Sequence, residues 1–260
     1  MLAEVNGTRI HYVQEGAGRD LVLLPGLGAS THAWYPQLKG LSSVLRVTAL
    51  DPRGHGQSGR PPGPYTVRML ADDVAGTLQH AGITSAVVAG SSMSSLVAVE
   101  LAAAYPELTA ALVLVGGFPA LGAAAKERFD ARAQMAETEG MGPLADLVAA
   151  GALGAHTHAT QPALVGLFRH VLLANDPVAY AICCRMIRDA DVTPLLSQVR
   201  CPTLILWGVQ EQVAPLPAAR ALKAGIPHAE LRTIPDAGHL PFMEQPGAFN
   251  AAVTEFIAGL

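Results

Sequence analysis

Apolar positions along this chain fall into two rhythms. Short, mainly apolar runs recur at Leu21–Leu24, Leu45–Leu50, Ala86–Ala89, Ala111–Val115 and Thr203–Trp207. They are too short for helices and do not alternate cleanly, which suits strands buried on both faces. Glu230–Ile234 reads as a further strand. Between these runs the period changes. Tyr65–Ala81 places Met69, Leu70, Val74 and Leu78 on one helical face, and Leu96–Tyr105, Pro217–Ala224 and Phe249–Ile257 also read as helices. Ser30–Leu41, with Trp34 and Leu38 on one face, predicts a short helix or helical loop. Leu2–Val5 and Thr8–Gln14 alternate weakly about Asn6-Gly7, a hairpin signal because both turn residues tolerate positive φ. Counting both hairpin strands, the pattern gives an α/β fold with a mostly parallel eight-stranded sheet and helices on both faces.

The rhythm breaks between Phe118 and Leu196. That stretch is alanine-rich and helical, with interruptions at Gly140–Pro143, Gly151–Thr160 and Asp176-Pro177 and no buried strand. It predicts an inserted helical cap over 118–196, dividing a core of 1–117 and 197–260. A length of 260 residues fits one large domain carrying such an insertion. The formal charge of −4 and the lack of a basic run argue against a nucleic-acid partner. Cys183, Cys184 and Cys201 are odd in number and form no Cys-x-x-Cys, which fits a reducing compartment and no zinc site. The first residues lack the basic start and long apolar core of a signal peptide. Ala110–Ala125 is too interrupted by Gly116, Gly117 and Pro119 to span a membrane. A cytoplasmic protein acting on a small molecule is expected, with no membrane partner and a homo-oligomer left open.

Candidate chemistry centres on Val87–Leu96. A buried run, then Gly90-Ser91-Ser92-Met93-Ser94, then helical residues is the layout of a nucleophile elbow with Ser92 at its apex. The usual Gly-x-Ser-x-Gly is matched at Gly90 and Ser92, while Ser94 stands at the second glycine. The turn also aims the Met93 amide at the same space. A serine hydroxyl needs a base. Among nine histidines, His239 in Gly-His-Leu-Pro is the candidate. His55, in Arg-Gly-His-Gly, reads as structural, His156 and His158 as solvated, and His32 as lining an entrance. An ordinary imidazole titrates at about 6.5 and accepts a proton only when neutral.

Several separated motifs, in order, resemble the α/β-hydrolase family over essentially the whole chain. Pro25-Gly26-Leu27-Gly28 is similar to its oxyanion loop, and Asp51-x-Arg53-Gly54-His55-Gly56-x-Ser58 to the turn after its fourth strand. Gly90–Ser94 is similar to its elbow. Cys201-Pro202-Thr203-Leu204 through Gly208 and Pro215 resembles the strand and loop that hold the acid. Gly238-His239 before Pro241, Glu244 and Pro246 resembles its histidine loop. The resemblance implies Glu211 as the third member of a Ser–His–acid set, with Asp51 a turn-stabilising residue and Asp236 too near His239 to be the usual partner. It implies Leu27 and Met93 as oxyanion donors, and no cofactor or metal. Met135 with Gly140-Met141, Asn175-Asp176-Pro177 with Tyr180, and Arg188–Asp191 are similar to the oxoadipate enol-lactonase and cofactor-free haloperoxidase branch. That branch implies hydrolysis of a small ester or lactone through an acyl-enzyme. A carbon–carbon bond hydrolase and a non-catalytic binding protein on the same fold remain rivals. Phe129, Met135, Leu144, Leu147, Leu167 and Met186 are apolar candidates for the cap's inner face. Arg128, Arg132, Arg185 and Arg188 are candidates to meet a substrate carboxylate.

Overall fold

The hairpin forms where the Asn-Gly pair demands it. In the computed structural model, which describes residues 1–260, β1 (Leu2–Val5) and β2 (Thr8–Glu15) pair antiparallel. Asn6 and Gly7 take φ of 48° and 72°, the positive values that a tight type I′ turn requires. The chain continues through β3 (Arg19–Leu24), α1 (Tyr35–Leu41), β4 (Leu45–Leu50), α2 (Val67–His80), β5 (Ala86–Ser91), α3 (Met93–Ala104) and β6 (Thr109–Val115). Five helices follow: α4 (Ala123–Glu139), α5 (Met141–Ala152), α6 (Ala155–Thr160), α7 (Pro162–Leu173) and α8 (Pro177–Asp189). The core then resumes with β7 (Thr203–Gly208), α9 (Leu216–Gly225), β8 (Ala229–Ile234), α10 (Pro241–Glu244) and α11 (Pro246–Ala258).

The strands form one eight-stranded sheet in the order β1-β2-β4-β3-β5-β6-β7-β8, and only β2 runs against the rest. Every residue of β5 and of β7 is buried, as their unbroken apolar runs require. Helix α3 lies behind β5 and is apolar on all sides; Met93, Leu96, Val97, Val99 and Leu101 are all buried. The parallel strands end at one edge of the sheet. The loops after β3, β5, β6, β7 and β8 therefore meet there, the general place for ligands in such sheets.

Among the boundaries that differ from the sequence reading, three have a plain local cause. Strand β3 starts at Arg19, because Asp20 and Arg46 pair across neighbouring strands at 2.5 Å and let a polar pair join the ladder. Helix α3 starts at Met93, since the hydroxyls of Ser94 and Ser95 are occupied by nearby carbonyls and do not disrupt its first turn. The predicted break at Gly151–Thr160 is mostly helix: α5 runs to Ala152, and His156–Thr160, which contains neither Gly nor Pro, coils into α6.

The five inserted helices leave and rejoin the core at one point. Ala120 and Asp191 form an antiparallel bridge, and the Val192 amide donates to Pro119 at 2.9 Å. Arg185–Glu137 at 2.7 Å and Arg188–Asp130 at 2.6 Å link α8 to α4. Trp34 stacks on Phe242 with ring centroids 3.9 Å apart, and both contact Phe249, fixing α10 to the core. No helix is long and apolar enough to cross a membrane.

Candidate active site

Ser92 occupies the turn between β5 and α3 with φ 51° and ψ −114°, backbone that side-chain-bearing residues rarely adopt. Such strain costs on the order of 1–3 kcal/mol and persists only where surroundings enforce it. Here the Ser92 amide donates to Val115 O at 2.8 Å. Its carbonyl accepts the Ser95 amide at 2.9 Å and the Ser95 hydroxyl at 2.6 Å. Glycine at 90 follows from the same crowding, because a Cβ there would lie 2.2 Å from the Ser94 carbonyl oxygen. The Ser94 hydroxyl, in place of the usual glycine, donates to Pro25 O at 2.5 Å. It thereby ties the elbow to the loop after β3.

His239 lies in the loop after β8, and its Nδ1 is 2.5 Å from Glu211 Oε2 in the loop after β7. The two side chains are 6 % and 0 % exposed. A carboxylate at that distance makes Nδ1 the protonated nitrogen and leaves Nε2 as the acceptor. The other Glu211 oxygen accepts the amides of Val213 at 2.6 Å and Ala214 at 3.1 Å, which fixes the longer glutamate arm. The His239 amide donates to Ala152 O, on α5, at 2.8 Å. Asp51 accepts the Thr31 amide at 2.6 Å and the Gln57 amide at 2.9 Å and pairs with His11 at 2.9 Å, a buried turn role. Asp236 is exposed at φ 55°. His55 is buried with Nδ1 3.2 Å from Arg53 O, and burial pushes its pKa down. His32 borders a separate surface groove beside Gly28 and Asn175. Cys183 and Cys184 are buried on α8, and burial pushes both thiols well up, away from nucleophilic use.

Ser92 and His239 line one narrow cavity between the sheet edge and the inserted helices. Leu27 lines it from the core side. The Leu27 amide has no backbone acceptor, and the Met93 amide is the first of α3, which has no intrahelical partner. From the insertion come Phe129, Arg132, Val148, Phe168 and Tyr180. The four candidate arginines part here. Arg185 and Arg188 are committed to ion pairs, Arg128 is exposed, and Arg132 reaches the cavity with no ion pair of its own. Its guanidinium rests 5.3 Å from the Phe129 ring centroid. The Tyr180 hydroxyl is buried without a hydrogen-bond partner, and burial pushes its pKa up, so it stays protonated.

Among the apolar candidates, Phe129 lines the cavity, Leu144 is in the core, and Leu147 and Leu167 are exposed. Met135 packs partly buried against the core, and Met186 faces a different groove. The cavity uses Val148 and Phe168 instead. Val148 was readable: Met141, Leu144, Ala145 and Val148 form the buried i, i+3, i+4, i+7 stripe of α5, and Leu147 falls outside it.

The family described as alpha/beta hydrolase fold matches residues 21–246. The chain belongs to the α/β-hydrolase family. It is accordingly an enzyme, a hydrolase. It is 31% identical over 233 residues to 3-oxoadipate enol-lactonase 2 of Acinetobacter baylyi, covering 90% of this chain and 86% of that one. The crystal structure of the enol-lactonase from Burkholderia xenovorans LB400 superposes with a TM-score of 0.94 at 32% identity, over 99% of this hydrolase and 100% of that chain. A thermophilic esterase from Thermogutta terrifontis, with malate bound, superposes at a TM-score of 0.94 and 29% identity, over 100% and 98% of the two chains.

Proposed function

We propose that the hydrolase cleaves a small carboxylic ester or lactone whose acyl part bears a free carboxylate, through an acyl-enzyme on Ser92. The observation that carries this reading is the His239–Glu211 contact of 2.5 Å beside a strained Ser92 that opens on the same cavity. Ser92 Oγ attacks the substrate carbonyl as His239 Nε2 takes its proton. Glu211 holds the ring in the right tautomer and stabilises the imidazolium that forms. The negative charge on the carbonyl oxygen meets the Leu27 and Met93 amides; one such donor contributes about 3 kcal/mol in the transition state. Collapse breaks the ester C–O bond, and His239 passes its proton to the departing oxygen. In a lactone that oxygen stays on the acyl chain. Water then attacks the acyl carbon and gives a proton to His239; the bond from the acyl carbon to Ser92 Oγ breaks, His239 returns the proton to that oxygen, and the acid leaves. Protein groups and water suffice for these steps.

Residues 118–196 act in this reading as a cap that chooses the substrate. Most of the wall they supply is apolar, and its charge is Arg132, unpaired in the protein. A carboxylate on the substrate would satisfy that guanidinium through a charge-assisted bond worth about 1.5–3 kcal/mol. The Tyr180 hydroxyl offers a second donor. The relatives point the same way: an oxoadipate enol-lactone retains one free carboxylate, and malate is a dicarboxylate. The test is a rapid quench with a half-ester of a short dicarboxylic acid, followed by mass spectrometry of the peptide carrying Ser92. An acyl adduct on Ser92 is expected, with hydrolysis of the half-ester favoured over its neutral diester. No adduct and no reaction with a fluorophosphonate would remove the acyl-enzyme on Ser92. Faster turnover of β-diketones than of any ester or lactone would make it a carbon–carbon hydrolase.

A further inference from the structure

Glu244 closes α10, just beyond His239 in the chain, and is 1 % exposed. Its carboxylate accepts four hydrogen bonds, two on each oxygen. Oε1 takes the Gly238 amide at 2.9 Å and the Leu240 amide at 3.1 Å, the two amides on either side of His239. Oε2 takes the Gly154 amide, between α5 and α6, and the Thr157 hydroxyl, on α6, each at 2.7 Å. No Lys, Arg or His pairs with this carboxylate. A buried carboxylate without a counter-charge is expensive, and four donors are what offset that cost.

Two further bonds cross the same seam. The His239 amide donates to Ala152 O at 2.8 Å, and the His156 amide donates to Gln210 Oε1 at 3.0 Å, next to Glu211. The loops carrying His239 and Glu211 are therefore fastened to the α5–α6 turn as well as to the sheet.

We propose that Glu244 is a positioning residue that locks the insertion to both amides flanking His239. The place of the imidazole between Ser92 and Glu211 then depends on how the insertion is seated. This proposal rests on the reading of Ser92 and His239 given above. Glutamine at 244 keeps the size of the side chain but has one acceptor oxygen. Whichever way the amide turns, an NH₂ group faces either the Gly238 and Leu240 amides or the Gly154 amide, so one side of the clamp opens.

The rate at which a neutral fluorophosphonate labels Ser92 reports the Ser92–His239 geometry without any natural substrate. Glu244→Gln is expected to fold, by circular dichroism, and to label at least about tenfold more slowly than wild type, because small misplacements of reacting groups are costly. On the half-ester, kcat should fall in parallel with KM nearly unchanged. Thr157→Val, which removes one donor on the insertion side, should slow labelling about threefold, while Thr157→Ser restores it. A folded Glu244→Gln protein labelled as fast as wild type would overturn the proposal. If that variant does not fold, equal labelling of Thr157→Val and Thr157→Ser overturns it. A wild type that is not labelled at all would remove the Ser92 reading, and with it this proposal.

Discussion

On the sheet side of the cavity the polar groups are tied to one another. Glu211 is held by two amides and by His239, Ser95 by the Ser92 carbonyl, and Ser94 by Pro25. On the insertion side the two polar groups are left open: Arg132 makes no ion pair, and the Tyr180 hydroxyl has no partner. Groups satisfied within the protein are preorganised and need no rearrangement when charge develops in the reaction. Groups left unsatisfied at the edge of an apolar cavity are suited to a ligand that completes them. In the proposed reaction, bond breaking therefore belongs to the sheet side and the choice of substrate to the insertion.

Changes on the sheet side should then strike turnover, beginning with Ser92→Ala. Its kcat should fall on the order of 10⁶-fold with thermal stability kept or raised, since the strained residue loses no packing. Steady-state kinetics beside a thermal melt checks this, and a rate close to wild type would mean that another group attacks. Glu211→Gln should lower kcat on the order of 10⁴-fold, because the amide can favour the wrong imidazole tautomer. Glu211→Asp should cost much less, about tenfold, as the shorter arm leaves a gap. Retention of most activity by the glutamine variant would show that the histidine works without this acid. The smallest effect belongs to Ser94→Ala, which removes one hydroxyl bond to the Pro25 carbonyl. A neutral bond of that kind is worth about 1 kcal/mol, so kcat should drop about fivefold with KM little changed. No change in kcat would confine Ser94 to packing.

The same contrast explains what could be read from the sequence. Buried runs such as Leu21–Leu24 and Ala86–Ala89 announce strands because both faces of the sheet are covered. Ser92 is visible because the elbow needs small residues at fixed places around it, and Glu211 because the resemblance to the α/β-hydrolase family places an acid just beyond Gly208, at the end of β7. On the insertion side the signal fades. The buried stripe of α4 is only Phe129, Ala133 and Ala136, too thin to say that Arg132, rather than Arg128, turns toward the cavity. The partners of Arg185 and Arg188 lie 48 and 58 positions away, so their commitment to α4 emerges only on packing. Glu244 stands in the histidine-loop motif, yet its four donors come from two segments brought together by the fold.

The division between chemistry and choice is tested most directly by Arg132→Gln, using one reagent that ignores the charge and one substrate pair that differs only in it. Fluorophosphonate labelling of Ser92 and the kcat/KM ratio of half-ester to neutral diester are measured on the same preparations. This division predicts labelling within about twofold of wild type while the ratio falls roughly 10–100-fold, the worth of one charge-assisted bond. A ratio that does not move would contradict it, and so would labelling that slows as much as the ratio falls.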